Sequence, residues 1–211
     1  MVANGQNSLR TTTEEDSSKR RQILEGARKM FMDLGFDGAS MGEIAKAAGV
    51  SKGTLYVYFV DKCALFEAIV EEESIEQGKI AFNLDTARDA PTTLHEFGEA
   101  YIAMVCRPGG GSAIRTVMAI AERMPEVGKR FYERVLDKNI SRLAAYLEAH
   151  VAQGELAISD CQLAASQFML ICQASLFLPF IFQAAPAPSP ERIKEVVDSA
   201  VRMFLAAYKV K

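Results

Sequence analysis

Side chains that can bind phosphate are concentrated in the stretch SKGTLYVYF, residues 51–59. Lys52 carries a positive charge, and Thr54, Tyr56 and Tyr58 carry hydroxyl groups that can donate hydrogen bonds. Phosphate oxygens accept hydrogen bonds from these residue types when a protein positions itself on a nucleic acid. The stretch therefore favours phosphate binding, provided that its fold presents these side chains on one surface.

Enzyme chemistry and metal binding have no comparable pattern in the chain. No carboxylate pair, metal-ligand cluster or nucleophile with an adjacent base stands out, so we expect neither an enzyme nor a metal or other cofactor. The cysteines form no CxxC pair and there are 2 histidines, which argues against a zinc site. We expect reduced thiols at Cys63, Cys106, Cys161 and Cys172. A redox sensor at Cys106, beside the cation Arg107, is the less favoured alternative.

The composition is that of a folded chain without a uniformly basic surface. The 211 residues are 49% hydrophobic, which is enough to bury a sizeable core. The formal net charge of -3 argues against a histone-like protein, although a local basic site is compatible with it. Residues 1–17 lack the apolar segment of a signal peptide. We expect them to form a flexible tail of a cytoplasmic protein.

Residues 161–190 include no charged side chain, which raises the alternative of a membrane span. Pro179 and several glutamines interrupt this segment, and its longest purely apolar piece, 176–182, is too short to cross a bilayer. A helix that is apolar on nearly every side packs against several neighbours or against another subunit. We therefore expect no membrane association.

The elements around the phosphate-binding stretch are predicted to be helices bounded by strong local signals. Apolar spacing predicts a helix over 18–34 that ends at Gly35. The letters SMGE, beginning at Ser40, match a capping box at the start of a second, short helix, and Gly49 suits the turn that ends it. Ser51 can cap the third helix, which carries the phosphate-binding side chains.

Helical spacing continues to the end of the chain, and no segment shows the alternation of a strand. The sequence therefore predicts an all-α fold in which a three-helix domain over 18–62 precedes a larger helical domain over 63–211. Proline and glycine mark the breaks between the later helices. We expect those helices over 91–107, with a break at 108–111, and then over 112–123, 125–153, 160–183 and 190–208.

Two short helices that are joined at a glycine and flanked by longer ones describe a helix-turn-helix, whose second helix enters the major groove of DNA. A helical wheel directs Leu55 and Phe59 inward, and Gly53, Thr54 and Val57 outward. It places Lys52, Tyr56 and Tyr58 on the shoulders between these two faces. Gly53 costs the helix about 1 kcal/mol relative to alanine, which suits a backbone that approaches DNA closely. Val57 has no polar atom, so we expect it to contact a thymine methyl group. Lys62 adds a cation beside the phosphate backbone.

The segment GFDGASMGEIAKAAGVSKGTLYVYFVDKCALF, residues 35–66, resembles the DNA-binding signature of the TetR family of transcriptional regulators nearly end to end. The resemblance implies an all-helical homodimer that represses transcription on operator DNA until a small-molecule effector binds its larger C-terminal part. Val57 departs from the aromatic or polar residue that many members carry, and Cys63 replaces a common glutamate. The positions that match the family's DNA contacts are Ser40, Ser51, Lys52, Gly53, Thr54, Tyr56, Val57, Tyr58 and Lys62.

The C-terminal part, from AERMPEVGKRFYERV to LAASQFMLICQA, is similar to the AefR-like regulators of the same family. Helices near 160–183 and 190–208 have more apolar surface than one small domain buries. We expect them to form a four-helix homodimer interface, in which Leu170 and Phe204 face the other subunit.

An effector site is predicted among the apolar residues of the C-terminal domain, with His95, Gln167 and Gln173 as its polar candidates. Such a site favours a largely apolar effector with one or two hydrogen-bonding groups. A small-molecule carrier or sensor without DNA binding, and a transcriptional activator, are the alternatives that stay open. The predicted effector-binding residues are Tyr101, Met104, Met118, Phe131, Phe168 and Cys172.

Overall fold

The computed structural model describes the backbone of residues 5–79, 84–107 and 111–210, and the side chains of 16–72, 84–107, 111 and 114–210. In this part of the chain every regular element is a helix, and the strand-like pairing is limited to one isolated bridge between Leu156 and Lys209. The predicted all-α fold is confirmed. The helices are α1 (Gly5–Gly38), α2 (Met41–Ala47), α3 (Lys52–Tyr58), α4 (Lys62–Lys79), α5 (Ala90–Val105), α6 (Gly111–Ile120), α7 (Pro125–Phe131), α8 (Lys138–Ala152), α9 (Cys161–Gln173), α10 (Phe177–Ile181) and α11 (Pro190–Tyr208).

The chain divides into two compact units, Met1–Glu73 and Ser74–Lys211. The boundary lies inside α4, later than the division after Lys62 that the sequence suggests. The first half of α4 belongs to the first unit because the ring of Phe66 packs edge-on against Phe31 and Phe36, with ring centroids 5.8 and 5.7 Å apart. Aromatic burial of this kind holds α4 on the unit that contains α1.

The backbone of α1 is helical from Gly5, which differs from the flexible tail expected over residues 1–17. Residues 1–4 of that predicted tail lie outside the described residues. The polar sequence before position 18 shows no apolar periodicity, so spacing alone does not predict a helix there. A helix that is already nucleated is extended by one hydrogen bond per added residue, and this explains how α1 can continue through a polar segment.

The core of the first unit is built from apolar side chains that each of its helices contributes. Ile23 of α1, Ile44 of α2, Leu55 of α3 and Leu65 of α4 are all fully buried. The regular path of α1 is broken at Gly35, where φ is +71°. This kink lies where the helix end was predicted, because glycine adopts positive φ without steric cost, and a short helical turn follows it to Gly38.

The second unit packs α5, α8, α9 and α11 around one apolar core. Gly98 permits the close approach of α5 to α11, since a Cβ atom at this position would lie 2.8 Å from Cγ1 of Val197. The start of α11 confirms the predicted cap, because the Ser189 side chain accepts a hydrogen bond from the backbone N–H of Arg192 at 3.3 Å. The predicted break at 108–111 lies outside the described residues except for Gly111.

The charge-free segment forms two helices, so the single helix predicted over 160–183 is wrong. α9 ends at Gln173 and α10 begins at Phe177, with Ser175 at φ +59° between them. Pro179 explains the break because its ring would clash with the carbonyl of Ser175, four residues earlier, in a continuous helix. Within the described residues, no helix combines the length and the apolar character that a membrane span requires.

The long helix predicted from Pro125 is present in three parts. Between α7 and α8, residues Tyr132–Asp137 form a wider π-helical segment, while the flanking residues keep right-handed helical angles. The helical path therefore continues through the whole predicted range. The change of hydrogen-bonding register inside it was not predicted from the apolar spacing.

Candidate DNA-binding site

The start of α2 is held by the predicted capping box. Ser40 Oγ accepts a hydrogen bond from the backbone N–H of Glu43 at 3.2 Å, and the Glu43 carboxylate accepts from the backbone N–H of Ser40 at 3.0 Å. The Ser40 hydroxyl also donates to Glu43 Oε2 at 2.7 Å. Because these bonds stabilise the ionised carboxylate, they hold the pKa of Glu43 below its usual value. The Ser40 side chain thus orders the helix start.

The turn between α2 and α3 is fixed against α1. Gly49 has φ +64°, which confirms the glycine turn predicted there. Gln22 of α1 donates from Nε2 to the carbonyl oxygen of Ala48 at 2.7 Å. Gly26 of α1 lets the turn approach closely, because a Cβ atom at position 26 would lie 2.7 Å from the backbone of Ala48. The contacts of α1 with the turn therefore help to set the orientation of α3.

The third helix is capped at its start and anchored by apolar side chains. Ser51 Oγ accepts a hydrogen bond from the backbone N–H of Thr54 at 2.9 Å, and the two side-chain oxygens are 2.7 Å apart. Leu55 and Phe59 are buried, as the helical wheel predicts, and the Arg20 guanidinium lies 5.5 Å from the centre of the Phe59 ring. These contacts leave the opposite face of α3 for solvent or a partner.

The outward face of α3 presents Lys52, Gly53, Tyr56 and Val57, which are all exposed. Val57 is 82% exposed, so its methyl groups are available for an apolar contact. Thr54 is half-buried because it shares the cap with Ser51. Apart from Thr54, the outward side chains lie where the helical wheel predicts, which places a cation, a hydroxyl group and an apolar side chain on one surface.

Among the described residues, no contact or backbone angle requires a glycine at position 53. It lies in a regular helix, and a Cβ atom at this position would come no nearer than 3.7 Å to another atom, Ser51 Oγ. The positive-φ glycines of the chain do not include it. Because alanine would favour the helix, neither packing nor backbone angle explains the glycine.

Tyr58 makes a contact that the sequence did not predict. Its hydroxyl group donates a hydrogen bond of 2.6 Å to Oδ1 of Asp16, a residue of α1 that lies 42 positions earlier in the chain. The bond to the carboxylate stabilises the protonated phenol and raises the pKa of Tyr58 above its usual value. No local spacing signal could have indicated this pairing.

Lys62 has an intramolecular role in addition to its charge. Its ammonium group donates to the carbonyl oxygen of Ala39 at 3.1 Å and, more weakly, to that of Asp37 at 3.4 Å. It also lies 4.6 Å from the centre of the Phe36 ring. Lys62 therefore ties the end of α1 to the start of α4, which the prediction of a phosphate contact did not include.

The predicted effector-binding residues are only partly brought together. Tyr101, Met104, Phe168 and Cys172 belong to the core of the second unit. Met118 does not, because it lies on the outward face of α6 and is 65% exposed. The structure therefore does not place Met118 with the other four residues, and its role in effector binding stays a prediction.

Phe131 is buried at the end of α7, apart from the residues of that core. The predicted polar candidate Gln173 donates a hydrogen bond to the Tyr101 hydroxyl group inside the unit. Desolvation of the same tyrosine raises its pKa to about 12. His95 instead pairs with Asp198 of α11, and Gln167 accepts a hydrogen bond from Tyr208 at 3.2 Å.

The thiol environments argue against the redox-sensor alternative. Burial raises the pKa of Cys106 to about 11 and that of Cys172 to about 12, so both thiols stay protonated at neutral pH. The cation of Arg107 therefore does not produce a reactive thiolate at Cys106. Among the described residues, no group of three or more His, Cys, Asp or Glu side chains is arranged to hold a metal ion.

Comparison with known proteins identifies both parts of the chain. Residues 23–69 match the model of the bacterial regulatory proteins of the tetR family. Residues 92–210 match the model of the C-terminal domain of AefR-like transcriptional repressors. The first match covers the helix-turn-helix, and the second covers more than half of the chain.

Relatives and solved structures agree with these matches. AcrR, an HTH-type transcriptional regulator of Shigella flexneri, is 37% identical over 89 residues, which cover 41% of this chain and 41% of AcrR. The matched region spans less than half the length of the first curated relatives. A TetR-family transcriptional regulator of Mesorhizobium loti has a TM-score of 0.82 at 28% identity, over 92% of this chain and 98% of that one.

The flavonoid-responsive regulator FrrA has a TM-score of 0.81 at 28% identity, over 92% of this chain and 99% of FrrA. These structural similarities extend through both units, whereas the curated sequence matches are shorter. The chain belongs to the TetR family of DNA-binding transcriptional regulators, and its C-terminal domain is of the AefR-like type.

Proposed function

We propose that this protein is a cytoplasmic, homodimeric repressor that binds a near-palindromic operator through α3 and releases it when a small, largely apolar effector binds. The observation that carries the proposal is the outward face of α3. There, Gly53 is exposed without an intramolecular requirement, beside the cation Lys52 and the apolar Val57. A carrier that does not bind DNA would have no use for this combination.

On DNA, the polar side chains of this face would position the helix and Val57 would read sequence. Lys52 and Tyr56 can reach phosphate oxygens, and such contacts fix orientation without selecting bases. Val57 can distinguish a thymine through its methyl group in the major groove. Ser40, Ser51 and Thr54 act mainly through the helix caps, and Lys62 combines its charge with the tie between α1 and α4.

Dimerisation is supported by an uncovered apolar surface on α9 and α11. Leu170 is 62% exposed and Met203 is 57% exposed, and both line a groove of about 610 Å³ between the two helices. Phe204, which the sequence placed at the interface, is instead 2% exposed and packs against Phe168 within the chain. A two-fold bundle of α9 and α11 from two subunits would cover Leu170 and Met203.

An effector that enters the second unit would meet aromatic side chains and one hydrogen-bonded pair. Phe97 stacks on Tyr101 with ring centroids 6.1 Å apart, and the Tyr101 hydroxyl group is bonded to Gln173. A flat, mostly apolar molecule with a hydroxyl or carbonyl group could replace part of this packing and hydrogen bonding. Because FrrA is described as flavonoid-responsive, flavonoids are the first compounds to test.

Selection of DNA by the full-length protein from a random-sequence pool, followed by nuclease protection, tests the proposal. The expected result is two inverted half-sites whose centres lie about one helical turn or more apart, because each subunit of a dimer contributes one α3. Absence of any enriched duplex would favour the carrier. A reporter gene joined to the selected site separates repression from activation when its transcription is compared with and without the protein. Loss of a repressor raises transcription, whereas loss of an activator lowers it.

A further inference from the structure

The hydrogen bond between Tyr58 and Asp16 joins a predicted DNA contact to an acid on a different helix. The hydroxyl group donates to Oδ1 at 2.6 Å, a length typical of an O–H donor on an ionised carboxylate. Tyr58 is half-buried at the end of α3, while Asp16 is exposed on α1. The bond therefore lies at the surface.

This bond conflicts with a phosphate contact at Tyr58. A phenol has a single hydrogen to donate, and a phosphodiester has only acceptor oxygens. Tyr58 thus cannot donate to Asp16 and to DNA at once. The carboxylate also holds a negative charge within hydrogen-bonding distance of the hydroxyl group that an anionic phosphate would approach, and like charges at this range repel each other.

Two neighbouring cations on α1 are directed to other partners. Lys19 donates to Gln22 Oε1 at 3.1 Å, and Arg20 pairs with Glu72 at 3.3 Å. The backbone around Asp16 is helical, so the carboxylate is presented from a regular element. Asp16 thus has the geometry and charge of a substitute for the DNA phosphate.

We propose that Asp16 competes with the DNA backbone for the Tyr58 hydroxyl group and so limits the affinity of the free protein for DNA. The inference rests on the proposed phosphate contact of Tyr58. Binding exchanges one charge-assisted hydrogen bond for another, so the contact adds less to affinity than it would without Asp16. Because the affinity for the operator is lower, an effector can release the DNA with a modest coupling between the two sites. Such coupling is typically about 5- to 150-fold.

A double-mutant cycle on Asp16→Ala and Tyr58→Phe tests the competition. The probes are the duplex that the wild-type protein enriches from a random-sequence pool and an unrelated duplex of equal length, with Kd measured by fluorescence anisotropy. Asp16→Ala should tighten binding to both probes by about 2- to 12-fold, the range expected for one intramolecular hydrogen bond. Both probes should respond because a phosphate contact is independent of sequence.

The second half of the cycle separates the inference from the function on which it rests. In the Asp16→Ala protein, adding Tyr58→Phe should weaken binding several-fold more than it does when Asp16 is present. No loss there would overturn the Tyr58 phosphate contact and the competition together. If Tyr58→Phe weakens binding equally with and without Asp16, the competition alone is overturned. Asp16 would then act only by charge repulsion of the DNA. Weaker DNA binding by the Asp16→Ala protein would also overturn the competition, and it would indicate that Asp16 positions Tyr58 for DNA binding.

Two further measurements complete the test. Glu25→Ala removes an exposed carboxylate from the same helix while the Asp16–Tyr58 bond stays, and it should change Kd much less than Asp16→Ala. NMR titration of the Tyr58 ring, without DNA, should show a lower pKa in Asp16→Ala than in the wild type, since the bond favours the protonated phenol. An unchanged pKa would mean that the bond does not form in solution and would overturn the competition.

Discussion

At the scale of single residues, replacing Gly53 should change stability and DNA binding in opposite directions. Gly53→Ala should raise the free energy of unfolding by up to about 1 kcal/mol, because alanine favours the helix and the added Cβ meets only ordinary contacts. The same methyl group should weaken operator binding, because it keeps the α3 backbone away from the DNA. Thermal melting and fluorescence anisotropy on one preparation measure both effects.

Gly26→Ala is the matched control for this prediction. Its Cβ atom would lie 2.7 Å from backbone atoms of Ala48, so the variant should lose about 1–3 kcal/mol of stability through overpacking. The two glycines thus should respond in opposite directions in the melting experiment. Wild-type operator affinity in Gly53→Ala would contradict the close approach of α3 to DNA.

Lys62 is the other residue whose substitution has two expected effects. Lys62→Ala should reduce the slope of log K against log salt by about one unit if the ammonium group neutralises a phosphate. It should also lower stability by about 1 kcal/mol, because the carbonyl groups of Asp37 and Ala39 lose their donor. Salt titrations must therefore be run where the variant is fully folded.

A change in sequence preference with an unaltered salt slope would contradict the phosphate assignment of Lys62. Lys52→Ala offers the matched comparison, because Lys52 is exposed on the outward face of α3. It should reduce the salt slope with little effect on the melting temperature. The two variants thus distinguish a lysine that contributes only to DNA binding from one that also stabilises the fold.

At the scale of helices, the exposed stripes of α9 and α11 predict the subunit interface. Leu170→Glu or Met203→Glu should place an unpaired charge in the dimer, which costs about 3–5 kcal/mol and should dissociate it. Sedimentation velocity at micromolar concentration should then show monomers that remain folded. Operator affinity should fall in parallel, because two α3 helices are no longer linked.

Arg202→Glu is the control for the interface variants, because Arg202 is exposed on α11 while the groove is lined by other residues. It should leave the dimer intact. Phe204→Glu should instead unfold the second unit, since that ring packs against Phe168 and Tyr208 in the core. A wild-type protein that sediments as a monomer would refute the predicted interface.

At the scale of the whole molecule, repression and release require that the effector and the operator weaken each other's binding by the same factor. A coupling of about 1–3 kcal/mol is typical of such systems. Isothermal titration of a flavonoid panel with and without the selected operator duplex measures this factor. Equal affinities in the two titrations would show that a compound is not an effector, however tightly it binds.

Gln173→Leu tests the proposed polar contact of the effector. It removes the partner of the Tyr101 hydroxyl group inside the second unit. We expect weaker binding of any compound that the titration identifies as an effector, with the operator affinity of the free protein unchanged. A loss of operator affinity without an effector would assign Gln173 to the fold of the unit instead.

The sequence by itself determined those features that depend on residues a few positions apart. The capping box at Ser40, the turn at Gly49, the cap at Ser51 and the cap of α11 at Ser189 all satisfy backbone groups within one helical turn. Inward placement of Leu55 and Phe59 follows from the same helical periodicity. Local hydrogen bonds and spacing decide these features in whatever tertiary context the helix occupies.

Only the tertiary structure decided which side chains meet across helices. It pairs Tyr58 with Asp16, brings Lys62 to the carbonyl of Ala39 and buries Phe204 while Met203 stays exposed. These outcomes depend on helix rotation and crossing, which are set by the packing of many side chains at once. Because a rotation of one residue, about 100°, moves a side chain from core to surface, apolar composition alone could not distinguish Phe204 from its neighbour.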